Sequence, residues 1–363
     1  MSAPLILILA GGTGGHVYPA LAVAKALVAR GYRVEWVGTR RGLEGRVVPA
    51  AGLLLHHLPV RGLRGKGTVD TLRGLLALLV SLAMAFWLVL RKAPGCVVGM
   101  GGYASGPVGL IARLLRRPLV LHEQNAVAGT TNRLLAPFAS VRLAGFPDAF
   151  PARHAGDFVG NPVRAELLAT ARAQQWYYDG SRPLHLLVLG GSLGARPINQ
   201  LMPQMLLALQ SAGCDPLPVV WHQCGEAHAE AATRAYADAG LDGVRCDPFI
   251  DDMAEAYAWA DLVVCRAGAL TVAELAVMSR PSLLVPLPHA IDDHQRRNAL
   301  YLTNRGAALL LPQSALTAQV LANEILTLVR DPQRLACMSR KAGACAMPTA
   351  TDAVVERCEE VLK

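Results

Sequence analysis

The sequence predicts an α/β protein of two doubly wound, Rossmann-like domains. Three observations predict it. Short β-branched or Leu-rich runs alternate with helical stretches through both halves of the chain, as in parallel sheets covered by helices. Glycine-rich turns stand directly behind three of these runs. A length of 363 residues suffices for two domains of ordinary size, each with its own core.

In the first half the strand-like runs are residues 5–10, 33–37, 54–58, 96–99, 118–122 and 141–144, with helical stretches such as 17–29 and 106–115 between them. The second half repeats the unit. Its runs are 184–189, 219–222, 243–246, 262–265, 282–286 and 308–311, and its helices include 198–210, 226–239, 271–278 and 293–305. Asn161-Pro162-Val163-Arg164 reads as a hinge between domains 1–163 and 164–341, and the polar stretch 172–183 is a second candidate linker. Two such domains facing each other would form a central cleft with the carboxyl ends of both sheets at its mouth, where open α/β folds bind ligands.

Composition narrows the class. A hydrophobic fraction of 53% excludes a disordered chain, and 34 Gly with 23 Pro is too ordinary for a fibrous one. Eight cysteines without CxxC or paired zinc-ligand spacing read as buried thiols of a reducing compartment. The net charge of +8 is uneven: residues 1–163 carry 18 Lys+Arg against 6 Asp+Glu, whereas residues 164–363 carry 17 against 21. Met1–Pro4 lacks a positive n-region, so no secretory leader is expected. The stretch from Leu75 to Leu90 is apolar except for Ser81 and falls short of the roughly 20 residues of a spanning helix. It reads as a surface helix dipping into a membrane, with a true span and a buried core helix as the alternatives.

The three glycine turns are Gly11-Gly12-Thr13-Gly14-Gly15-His16, Gly99-Met100-Gly101-Gly102-Tyr103 and Gly190-Gly191-Ser192-Leu193-Gly194. Glycine admits a phosphate close to the backbone, and the following helix offers N–H groups and a positive dipole end. There is no GxxxxGK[ST], which speaks against a P-loop NTPase. The first turn departs from GxGxxG and Glu35 is poorly placed for a ribose, which speaks against a nicotinamide dehydrogenase. His16 opens a helix, where the dipole favours a neutral imidazole suited to a general base; a capping or packing histidine is the plainer alternative. His122-Glu123-Gln124-Asn125 closes a strand at the sheet end where ligands bind. In Cys265-Arg266-Ala267-Gly268-Ala269-Leu270-Thr271-Val272-Ala273-Glu274, Thr271 and Glu274 have capping-box spacing, or else the helix start takes a diphosphate and Glu274 a ribose. The adjacent pairs Asp251-Asp252 and Asp292-Asp293 make no metal constellation, and no aromatic-interleaved basic patch supports nucleic-acid binding.

The runs GGTGGHVYPALAVAKAL, GMGGYASGP, HEQNAVAGTTNRLLA, GNPVR, GGSLGA, FIDDMAEAYAWADLVVCRAGALTVAE and HxxxxHQxxNA, in this order, resemble the MurG family along nearly the whole chain. The resemblance implies a GT-B fold, with the terminal segment 342–363 packing back on the first domain. It implies metal-independent transfer of GlcNAc from UDP-GlcNAc to the muramoyl 4-hydroxyl of undecaprenyl-pyrophosphoryl-MurNAc-pentapeptide, with inversion to a β1→4 link. This is a step of peptidoglycan synthesis at the cytoplasmic face of the bacterial membrane. No cofactor is implied, and a cell-wall synthesis complex is a conceivable partner.

Carried over, Thr13, Gly14, Gly15, Asn125, Arg164, Ser192, Ile250, Gln295 and the helix start Ala269, Leu270, Thr271, Val272 and Ala273 contact the donor, with Glu274 on its ribose. Gly101, Gly102 and Tyr103 face the acceptor. His16 leads as general base, with Glu123 and His122 as competitors. A diacylglycerol-using glycolipid synthase, a sugar-nucleotide epimerase and a peripheral membrane scaffold are the alternatives. The basic first half, with Arg61, Arg64, Lys66, Arg73, Arg91 and Lys92 around the apolar stretch, suits an anionic membrane surface and not nucleic acid.

Overall fold

The computed structural model describes residues 3–40, 42–60, 68–191, 194–288 and 290–363. Arg61, Arg64, Lys66 and Ser192 lie outside the described residues. The chain forms two compact units, Met1–Arg164 with Pro348–Lys363, and Ala165–Met347.

In the first unit the strands are β1 (Leu5–Leu9), β2 (Arg33–Gly38), β3 (Leu54–His57), β4 (Cys96–Gly99), β5 (Leu119–Glu123), β6 (Val141–Ala144) and β7 (Asp157–Phe158), in the order β3-β2-β1-β4-β5-β6-β7. The described pairings are parallel. The helices are α1 (Gly14–Ala29), α2 (Glu44–Ala50), α3 (Thr68–Lys92), α4 (Ser105–Leu114) and α5 (Thr130–Leu135). Strand alternation builds two core layers. Ile6 and Ile8 face α1 through Val17, Ala20 and Leu27, while Leu7 and Leu9 face Val108 and Ala112 of α4 and Ala85 and Val89 of α3. Both faces are buried, so the strands read as continuous apolar runs. The two-residue β7 is too short and polar for its sequence to announce.

In the second unit α6 (Ala165–Ala173) leads into β8 (His185–Leu189), α7 (Arg196–Ser211), β9 (Val219–Gln223), α8 (Ala229–Asp238), β10 (Arg245–Asp247), α9 (Met253–Trp259) and β11 (Leu262–Cys265). Then come α10 (Ala269–Val277), β12 (Ser282–Leu284), α11 (His294–Thr303), β13 (Ala308–Leu310), α12 (Ala318–Val329) and α13 (Pro332–Ala344). The sheet order is β10-β9-β8-β11-β12-β13, again parallel. Stretch 172–183 is no linker. Tyr178 is buried in this unit's core, and the Trp176 indole donates to the Asp261 carbonyl at 3.0 Å.

The return to the first unit starts later than residue 342, because α13 runs to Ala344 and the second unit extends to Met347. The last helix, α14 (Ala350–Leu362), buries Val354, Val355 and Cys358 against α1, β4 and β5. Arg30, the C-cap residue of α1, fastens its rim through Asp352 at 2.9 Å and Glu359 at 3.1 Å.

Helix α3 is packed along one side and exposed along the other, which is not the buried core helix that stood as an alternative. Gly74, Ser81, Ala85 and Val89 form a buried stripe, small enough for close packing on α4. Leu75, Leu76, Leu79, Val80, Met84, Phe86, Trp87 and Leu90 are exposed. The stretch Arg73–Lys92 has the length and composition to cross a membrane, yet its small-residue stripe is packed into the domain.

Candidate functional site

In the first unit the chain switches direction between the neighbouring strands β1 and β4, and the first two glycine turns leave their carboxyl ends side by side. Gly101 and Gly102 have φ of +93° and +89°, a region that favours glycine. A Cβ on Gly102 would lie 2.5 Å from the Gly11 carbonyl oxygen, and one on Gly101 would lie 2.9 Å from Cδ2 of His16. The missing side chains let the second turn close on the first and on the half-buried His16 ring. The buried Ser105 hydroxyl locks the second turn from beneath, 2.8 Å from the Gly101 carbonyl and 3.0 Å from that of Leu9. Thr13 is the extended N-cap of α1, so Gly14 and Gly15 present N–H groups that have no intrahelical acceptor by position. Tyr103 stands out from the second turn, 61% exposed. The Arg164 guanidinium lies over the Tyr18 ring of α1 at 5.6 Å, so Arg164 belongs with the first unit, not the second.

The polar end of β5 divides its labour. His122 is fully buried, with Nε2 2.9 Å from the Gly160 carbonyl and Nδ1 3.1 Å from the Gln124 amide nitrogen. Burial pushes its pKa down to about 4, only partly offset by the Gly160 bond. The imidazole donates through Nε2 and accepts at Nδ1, so both ring nitrogens are engaged within the core. Glu123 is also buried. Its Oε1 accepts from the Asn125 N–H at 2.9 Å and the Asn125 amide at 3.2 Å, and its Oε2 from the Gly129 N–H at 3.0 Å and the Asn132 amide at 2.8 Å. Such a carboxylate shapes the Asn125 loop and is poorly placed to take a proton from a ligand.

The second unit repeats the arrangement with different chemistry. The strand order reverses between β8 and β11, whose carboxyl ends carry the Gly190-Gly191 turn and Arg266-Ala267-Gly268. Gln223 at the end of β9 latches the glycine turn. Its Oε1 accepts from the Gly191 N–H at 3.0 Å, and its Nε2 donates to the Gly191 and Pro248 carbonyls, each at 3.1 Å. Helix α10 starts at Ala269 behind an extended Gly268 with no side-chain cap, so Thr271 and Glu274 do not form the expected capping box. Glu274 is instead buried, and the Tyr257 hydroxyl donates to its Oε2 at 3.2 Å. Arg266 anchors the turn by donating to the Val285 and Pro286 carbonyls and to Gln313, and Asn298 donates to the Ala267 carbonyl at 3.2 Å. Ile250 buries its side chain just before Asp252, which N-caps α9 through the Glu255 N–H. Gln295 accepts from the Leu287 N–H at 2.9 Å. Among the described residues no cluster of His, Cys, Asp and Glu is gathered as a metal ion would require.

The N-terminal domain family of glycosyltransferase family 28 matches residues 6–142, and the C-terminal domain family of the same group matches residues 185–354. The chain is 53% identical over 356 residues to the UDP-N-acetylglucosamine–N-acetylmuramyl-(pentapeptide) pyrophosphoryl-undecaprenol N-acetylglucosamine transferase of Stutzerimonas stutzeri, covering 98% of each chain. The crystal structure of Acinetobacter baumannii MurG superposes with a TM-score of 0.82 at 40% identity, over 98% of this chain and 99% of that one. This chain belongs to the MurG family of glycosyltransferases. A putative UDP-N-acetylglucosamine 2-epimerase from Listeria monocytogenes has a TM-score of 0.67 at 13% identity, over 99% of this chain and 97% of that one, and shares the fold alone.

Within this MurG-family fold, the first unit gathers Thr13, Gly14, Gly15, His16, Gly101, Gly102 and Tyr103 at one strand switch point, with Glu123 at the end of the neighbouring strand β5 and Asn125 in the loop after it. The second unit gathers residues 269–274 at the other switch point. Sequence reasoning missed Glu44, Gln223, Arg266 as an anchor, and Asn298. Gln223 had a signal, since it closes a strand run exactly as His122-Glu123 does; Glu44 opens a short helix and had none.

Proposed function

We propose that the chain carries out its family's reaction with His16 as the base, the first unit holding the acceptor and the second the nucleotide. The reaction moves GlcNAc from UDP-GlcNAc to the 4-hydroxyl of MurNAc in undecaprenyl-pyrophosphoryl-MurNAc-pentapeptide, forming a β1→4 bond with inversion. The observation that carries the base assignment is subtractive and geometric. His122 is sealed in the core, Glu123 has both oxygens engaged by loop donors, and His16 is half-buried against a glycine turn that leaves its ring room. His16 takes the proton from the 4-hydroxyl as that oxygen bonds to the anomeric carbon. The bond to UDP breaks on the opposite face, and its electron pair leaves with the diphosphate.

The start of α10, with the N–H groups of Ala269, Leu270 and Thr271, meets the diphosphate charge, helped by Ser192 and Arg164. Val272 and Ala273 continue that turn, and Glu274, oriented by Tyr257, takes the ribose hydroxyls. Ile250 meets the uracil through its backbone, while Gln295 of the second unit and Thr13, Gly14, Gly15 and Asn125 of the first are each assigned to the donor. Gly101, Gly102 and Tyr103 line the acceptor side.

The exposed face of α3 docks on an anionic leaflet, where the lipid acceptor resides. Of the flanking cations, Lys92 is paired with Glu35 at 3.0 Å, and the Arg91 guanidinium lies 5.8 Å from the Trp87 ring centre. The test is labelled UDP-GlcNAc offered with a lipid-linked muramoyl acceptor. Label in a lipid disaccharide supports the reading, and epimerised or merely hydrolysed donor refutes it.

A further inference from the structure

We propose that Glu44 is a positioning residue for transfer: an internal anion on which the first glycine turn closes, setting the place of His16. This rests on the reading of His16 as the base. Glu44 is 0% exposed although it opens α2. Its Oε2 accepts from the Gly12 N–H at 2.9 Å. Its Oε1 accepts from the Thr39 N–H at 2.8 Å and the Thr39 hydroxyl at 2.7 Å. The Gly42 N–H in turn donates to the Thr39 hydroxyl at 3.2 Å.

Three glycines from three segments leave room for this carboxylate. A Cβ on Gly11 would lie 2.5 Å from Oε1, one on Gly38 2.6 Å from Cγ, and one on Gly42 would overlap Oε2. The glycines behind β1 and at the end of β2 therefore serve an internal side chain as well as any ligand. The three groups that reach the carboxylate, the Gly12 and Thr39 N–H and the Thr39 hydroxyl, all donate to it, so a carboxylate fits where a carboxamide would set its NH2 against an N–H or O–H. Gly12, with φ of +96°, is the pivot: its N–H points to Glu44, and the next residue caps the helix that carries His16. Displacing that pivot moves the imidazole, and a shift of order 1 Å in a reacting group costs about a hundredfold in rate.

Glu44→Gln is compared with wild type for kcat, for KM of each substrate, for UDP affinity by calorimetry and for thermal midpoint. A fall in kcat of about 10- to 100-fold, with donor KM and UDP affinity within about twofold, is the expected result, because the nucleotide is held by α10 in the other unit. Thr39→Ser should match wild type, and Thr39→Val, which removes one donor, should fall between. Adding Thr39→Val to Glu44→Gln should cost less than the two separate losses combined. Wild-type kcat in Glu44→Gln overturns the proposal, as does parallel loss of kcat and UDP affinity. Should Glu44→Gln fail to fold, equal kcat for Thr39→Val and Thr39→Ser overturns it. His16→Ala separates the two levels: if it keeps turnover, the base assignment fails; if it is inactive while Glu44→Gln is unaffected, only Glu44 fails.

Discussion

The two units build the same glycine turn on the same kind of sheet and latch it with different groups. In the first, the carboxylate of Glu44 accepts from Gly12 and Thr39; in the second, the amide of Gln223 accepts from Gly191 and donates to two carbonyls. What faces the latch explains the choice. Donors alone suit a carboxylate, whereas one N–H with two carbonyls suits an amide. The electrostatic consequence follows directly. The first turn already contains a negative group of its own, and the second keeps a neutral latch beside the helix proposed to take the nucleotide diphosphate. Each turn is thus closed by one side chain whose hydrogen-bonding character matches the groups that face it.

The largest expected effect separates chemistry from binding. His16→Ala should lower turnover by about 10²–10⁴-fold while UDP-GlcNAc affinity, read by calorimetry, is largely kept. Glu274→Ala should do the converse, weakening the donor with a smaller change in kcat at saturation. Matching defects in the two variants would break the division between units.

The next effect concerns the membrane, where the units also differ, since the basic excess and α3 both lie in the first. Leu79 and Trp87 are 60% and 56% exposed, so replacing both with Glu should leave the fold intact. Removing two large apolar contacts of ~1.5–3 kcal/mol each should cut vesicle binding by about tenfold or more. Sedimentation with anionic vesicles at low and high salt measures it, and unchanged binding would move docking to another surface.

A smaller effect tests the latch itself. Gln223→Glu would face the Gly191 and Pro248 carbonyls with a group that cannot donate. About 1–3 kcal/mol of lost hydrogen bonding, together with added negative charge, should weaken UDP-GlcNAc binding by about tenfold. Undiminished affinity would show that the latch's charge is irrelevant to the nucleotide.

The sequence disclosed the fold well because parallel strands buried on both faces are short apolar runs, and all twelve such runs are strands within a residue or two at their ends. It disclosed the glycine turns for a similar reason: each joins a strand to a helix at a fixed place. What escaped was the purpose of side chains whose partners are distant in sequence. His122 and Glu123 sit where a ligand site belongs, yet their partners, Gly160, Gly129 and Asn132, claim them for structure. Glu44 looked like any surface acid on a short helix until three glycines closed on it. Thr271 and Glu274 had the spacing of a cap, but the helix starts two residues earlier, at Ala269, and Tyr257 orients the carboxylate.

The smallest expected difference between the units lies in their response to acid. Each buries one histidine in a strand near its ligand end: His122, and His222 with Nδ1 2.8 Å from the Tyr236 hydroxyl and Nε2 3.1 Å from the Asn199 amide oxygen. Burial lowers both pKa values to about 4. Because the folded pKa lies below the ordinary value near 6.5, the unfolded chain binds more protons between those limits. The stability this contributes is complete above about pH 6.5 and is lost as pH falls toward 4. Each histidine can add at most about 1.4 kcal/mol per pH unit to that slope. Denaturant midpoints from pH 7 to 4.5 should therefore shift for both units alike, and His122→Asn or His222→Asn should each flatten the dependence by the same amount. A slope that vanished with one substitution and ignored the other would show that the two buried imidazoles, unlike the two latches, are not equivalent.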